Sequence, residues 1–116
     1  MAEKLNLYLV ELTHETGISP LGNGAYRKVS QESKTLLPKL MAERGMKNLG
    51  MYQLEPGHRA ILICEAPSAE DLRDILYKAK LLHWNSGQIF PATPLNKMKN
   101  IVGELGAAVT TSATPV

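Results

Sequence analysis

The stretch that decides the fold reads Leu49-Gly50-Met51-Tyr52-Gln53-Leu54, then Pro56-Gly57-His58, then Ala60-Ile61-Leu62-Ile63-Cys64-Glu65. Two apolar runs of strand length around a Pro-Gly turn predict an antiparallel hairpin. Downstream, Ser68 stands three residues before Asp71, with Pro67 ahead of it, and Leu72, Ile75, Leu76 and Ala79 share one side. That is a capped amphipathic helix packed on the sheet. From Gln88 to Thr93 the chain reads as extended, and Pro91, which cannot donate to a ladder, places this strand at an edge or a terminus.

Upstream, Leu5, Leu7 and Leu9 alternate with Asn6, Tyr8 and Val10, predicting a first strand from Leu5 to Leu12. Neither of its faces is fully polar, as expected of a sheet covered on both sides. A helix is predicted from near Ser30 to Arg44, with Leu36, Leu37, Leu40 and Met41 on its apolar face and Gly45 ending it. Pro38 either kinks that helix or, if the regular part starts at Thr35, sits in its first turn. The order is βαββαβ. It predicts an α+β ferredoxin-like subunit whose sheet keeps one face open, a face that a second subunit closes into a dimeric barrel with a pocket. Thr93-Pro94 opens an extra C-terminal helix carrying Leu95, Met98, Ile101, Val102 and Leu105. One domain over residues 1–106 and a disordered tail over 107–116 complete the expectation. The long segment Thr13 to Ala25, rich in Gly and Pro, reads as a loop, either a binding loop or a plain connection.

With 116 residues and 44% hydrophobic content, the chain supports one domain with a modest core. Its 13 basic and 11 acidic residues are dispersed, for a formal charge of +2, so no concentrated field for nucleic acid or an anionic membrane is expected. The single cysteine, Cys64, has no partner for an internal disulfide. No secretory h-region and no run of membrane-spanning length is legible, and the expected location is the cytoplasm. Glycine-rich phosphate loops, Cys-x-x-Cys, His-Glu-x-x-His and Gly-x-Ser-x-Gly are all missing, which removes dedicated nucleotide binding, zinc motifs and the nucleophile elbow from the expectation.

The block Ile61-Leu62-Ile63-Cys64-Glu65-Ala66-Pro67-Ser68-Ala69-Glu70, followed by Leu81-Leu82-His83-Trp84 and Ile89-Phe90-Pro91-Ala92-Thr93-Pro94-Leu95, resembles the second half of small dimeric α+β barrel proteins. It is most similar there to muconolactone isomerase-like and nickel-responsive small barrels. The resemblance spans roughly Leu5 to Leu95 and implies a homo-oligomer. Cofactor-free monooxygenases, isomerases, haem enzymes and effector-binding domains share this architecture, so the fold alone does not select a function. The Thr13–Ala25 loop and the third helix depart from the simplest members.

Few residues carry chemistry. Glu11 and His14, three positions apart where the first strand meets the long loop, read as a base and its orienter, as two metal ligands, or as plain surface groups at a strand end. Tyr8 is the third candidate for a catalytic role. Tyr8 and Tyr52 on the strands, with Trp84 after the second helix, are the candidate ligand-binding residues, a packing role for Trp84 being the plain alternative. His14 and His83 are the candidate ligands if the protein holds a divalent transition metal; the isomerase-like reading needs no cofactor. His58, at a hairpin tip, is expected to point away from any pocket, and Cys64 to be a small buried hydrophobe. Glu65 reads as a strand-end surface carboxylate or as an acid of raised pKa. The expectation is therefore a homo-oligomer that binds a small, largely apolar molecule, as a cofactor-free isomerase or monooxygenase, or else as a ligand- or metal-sensing or assembly module.

Overall fold

The computed structural model describes residues 4–15, 23–54 and 57–97. Strand β1 (Asn6–Thr13) is followed by helix α1 (Gly24–Glu43), strands β2 (Lys47–Leu54) and β3 (Arg59–Ala66), helix α2 (Ala69–Lys78), a 3-10 turn (Leu81–His83) and strand β4 (Ser86–Pro91). The four strands form one sheet in the order β2-β3-β1-β4, every neighbouring pair antiparallel. This is the ferredoxin-like arrangement, α+β in class. β4 is an edge strand, and Pro91 ends its pairing with β1 opposite Tyr8, where a missing donor costs least.

Alternation along β1 sorts its side chains cleanly. Tyr8, Val10 and Leu12 are buried against the helices with Leu62, Cys64 and Ala66 of β3, while Leu7, Leu9 and Glu11 lie on the opposite face and are only partly covered. Leu37 and Met41 of α1 and Leu72, Ile75 and Leu76 of α2 complete the core. Ser33, one turn before Leu37, is the buried polar exception among the described residues.

Helix α1 starts at Gly24, six residues before the expected Ser30, which shortens the predicted loop. Asn23 caps it, its Oδ1 accepting from the amides of Ala25 and Tyr26 at 3.1 and 3.3 Å. The first half of this helix buries a serine where the second half buries Leu37 and Met41, so its apolar stripe is faint in sequence. Pro38 lies deep inside the helix rather than in its first turn, on the exposed side. The lost backbone hydrogen bond is offset by the burial of Leu37 and Met41 on the other side. At the C-terminus Gly45 takes φ 69°, its amide donating to Ala42 O and that of Met46 to Met41 O, a Schellman closure whose two methionines are both buried.

The β2–β3 pairing carries an irregularity between Asn48 and Gly50, which leaves Leu49 unpaired and half exposed. Helix α2 begins as the sequence predicts, Ser68 Oγ accepting from Asp71 N at 3.1 Å. Of the predicted third helix, Leu95–Lys97 are helical; its remainder and the 107–116 tail lie outside the described residues.

Candidate functional site

Where α1 crosses the β2–β3–β1 end of the sheet it leaves a cavity of about 400 Å³. Its apolar wall includes Leu12, Leu37, Pro38, Met51 and Leu81, and its polar lining includes His14, Ser33 and Trp84. Each polar group arrives for a local reason. His14 follows β1 on the side of Leu12, held by its amide donating to the carbonyl of His58 at 3.1 Å. The turn after α2 supplies Trp84 and Asn85: Lys80 adopts φ 67°, reverses the chain into the 3-10 turn, and Asn85 closes it by donating from its backbone amide and Nδ2 to Leu81 O at 3.1 and 3.0 Å.

That second bond decides the state of His14. With Nδ2 spent on a carbonyl, the Asn85 Oδ1 is the atom left to face the imidazole, and it lies 3.0 Å from His14 Nδ1. The reverse amide orientation would set carbonyl against carbonyl. Nδ1 is therefore the donor, and neutral His14 carries its lone pair on Nε2. Nε2 is sealed from solvent, with no hydrogen-bond partner among the described residues. His58 packs edge-on against the ring at a centroid distance of 5.4 Å, and Trp84 lies tilted at 5.2 Å.

His14 is one of several orphans here. Ser33 Oγ, Trp84 Nε1 and His58 Nδ1 are likewise buried and unpartnered among the described residues. Leaving a buried polar atom unpaired costs about 1–3 kcal/mol, and three of these four residues, His14, Ser33 and Trp84, line the cavity, so an occupant with complementary groups would lower that cost.

The expected site residues divide. His14 and Trp84 come together, and Tyr52 borders the same cavity from β2. Tyr8 is buried on the helix-facing side but six residues along β1 from His14, roughly 20 Å at strand rise, and does not line the cavity. Glu11 is on the other face of the sheet, its carboxylate 3.1 Å from the Arg59 guanidinium, so it neither orients His14 nor shares a metal with it. His83 is exposed and outside the lining, which separates the expected metal pair. Among the described residues no group of three or more His, Cys, Asp or Glu is placed to hold a metal ion. His58, expected to point outward, instead packs on His14, whose backbone amide donates to the His58 carbonyl at 3.1 Å. Asn85 and Ser33 carried no sequence signal: an asparagine after a helix reads as a turn former, and a serine in a helix as a solvent-facing residue.

No protein-family model matches the chain, and no curated protein matches it in sequence. Among solved structures it is similar to 30S ribosomal protein S6 from Thermotoga maritima, at 13% identity and a TM-score of 0.45, covering 86% of this chain and 99% of that one.

Proposed function

We propose that this protein binds a small, largely apolar molecule in the cavity beneath α1 and isomerises it without a cofactor, His14 moving the proton. The observation that carries this reading is the His14 imidazole, held by Asn85 in the tautomer that leaves Nε2 as an unpartnered base beside an apolar cavity. Nε2 is sealed in this structure, so a substrate that presents an acidic C–H to it displaces part of the wall around the ring. The base takes that proton, the C–H electron pair becomes part of a new C=C bond, and the displaced π pair forms a C–H bond at a second carbon when the imidazolium returns the proton there. The step is redox-neutral. Ser33 Oγ and Trp84 Nε1 supply donors for an oxygen on which negative charge accumulates in between.

α-Angelica lactone, a small apolar β,γ-unsaturated lactone, is a suitable probe. Its conversion to the conjugated isomer should be accelerated by the protein, and His14→Gln should lower the rate about 100-fold or more while far-UV circular dichroism is unchanged. A wild-type rate equal to that in buffer, or a His14→Gln rate equal to wild type, overturns the catalytic reading. A non-catalytic binding module would use the same cavity, and saturable binding of the lactone without turnover is its signature.

A further inference from the structure

Among the described residues, the lining of the cavity beneath α1 includes no aspartate or glutamate. Two cations border it, Lys34 from α1 and Arg59 from β3. They are not equivalent. The Arg59 guanidinium lies 3.1 Å from the Glu11 carboxylate, so its charge is answered in place. Lys34 forms no ion pair with any described residue, whereas Lys78 and Lys80 are both paired, to Asp74 and Glu32. An ammonium with no carboxylate partner among the described residues, at the rim of a mostly apolar cavity, favours an anion there.

The hydrogen-bonding groups point the same way. Ser33, adjacent to Lys34 in sequence, and Trp84 each hold an unpartnered polar atom, and the indole N–H is a donor only. With the ammonium, the indole N–H and the Ser33 hydroxyl, which can donate as well as accept, place donors beside the acceptor His14 Nε2, and such donors suit an acceptor-rich head group. We propose that the occupant of this cavity is a small monocarboxylate with an apolar body, the carboxylate at Lys34 and the body along Leu37, Met51 and Trp84. This rests on the cavity reading above and narrows its substrate class. A phosphate or phosphonate dianion fits less well, because one free ammonium half-compensates it. The amides at the start of α1 do not make up the difference, since the Asn23 side chain already caps them.

Trp84 is the one tryptophan of the chain, so its emission reports the cavity directly. Three probes of similar shape are titrated at 0.15 M salt: phenylacetate, neutral phenylacetamide, and benzylphosphonate. Phenylacetate should shift Trp84 emission and bind about tenfold more tightly than the amide and more tightly than the phosphonate. Lys34→Met, which keeps the aliphatic stem, should bring the acid-to-amide ratio close to one; Lys39→Met, on the same helix but outside the lining, should leave it unchanged. Equal binding of acid and amide, an undiminished ratio in Lys34→Met, or tighter binding of the phosphonate each overturns the carboxylate proposal while the cavity reading stands. If no probe moves the Trp84 emission at millimolar concentration, the cavity reading fails and the carboxylate proposal with it.

Discussion

Cys64 sits opposite Tyr8 across the β1–β3 ladder with no measurable exposure, and burial pushes its thiol up to about 11. A thiolate is the reactive form, so this cysteine should ignore Ellman's reagent in the native protein at pH 8 and react fully only after denaturation. Native reaction at the rate of a free thiol would place it elsewhere. The same shift carries a stability consequence. A folded-state value raised above the ordinary 9.0 means that the neutral thiol contributes fully below pH 9 and that the contribution is lost as pH rises toward about 11. The residue types of this protein were all readable, and Cys64 behaves as its apolar neighbours predict. Glu11 also follows a local rule, since the period-two alternation of β1 sets it on the face opposite Leu12. His58 does not, because the ring it meets belongs to His14, 44 positions earlier, and no spacing in the sequence encodes that contact.

At the scale of the elements, α2 was fully legible: Ser68, Asp71 and the Leu72–Ile75–Leu76 face define it without tertiary help. Ser68→Ala removes the acceptor for Asp71 N and should lower unfolding free energy by about 1 kcal/mol in urea titration, with cavity binding unchanged. An unchanged midpoint would mean that the cap contributes nothing. Helix α1 was only half legible, since its start rests on Asn23 and on a buried serine. What joins the two helices at the surface is charge: Arg44, at the end of α1, lies 2.8 Å from Asp74 and 3.7 Å from Asp71 of α2, and Lys78 lies 3.0 Å from Asp74. Hydrogen bonds from Lys78 and then Arg44 hold the Asp74 carboxyl below its usual range. A depressed value contributes stability above the ordinary 3.8 and loses it as pH falls through the lowered value. Asp74→Asn should therefore flatten the acid limb of the stability–pH curve below about pH 4 and leave the alkaline limb alone. An acid limb identical to that of the parent would show that these exposed pairs are screened to nothing.

For the molecule as a whole, the sheet presents Leu7 and Leu9 of β1 beside Ile61 and Ile63 of β3, with Phe90 of β4 directly across from Leu9. This face is opposite the helices; its β1 and β3 residues are half-buried and Phe90 is 44% exposed. This apolar patch, bordered by Glu65 opposite Leu7 and Glu11 opposite Ile61, supports self-association through sheet-to-sheet contact, and a homodimeric mass by light scattering at micromolar concentration is the expected result. Ile63→Lys should shift that mass to the monomer with the fold retained; a wild-type monomer would remove the barrel-forming role of the face. The sequence by itself determined the order of elements, the hairpin, the second helix and the two-faced first strand, because these follow from periodicities of two and 3.6 and from turn and cap chemistry within a few residues. Only the tertiary structure decided the site. His14, Ser33 and the adjacent pair Trp84 and Asn85 come from three separate places in the chain, and the tautomer of the histidine depends on an asparagine 71 residues away. Local pattern carries no record of a contact made across such a distance, because what sets it is the packing of α1 over the sheet and the closure of the turn behind α2.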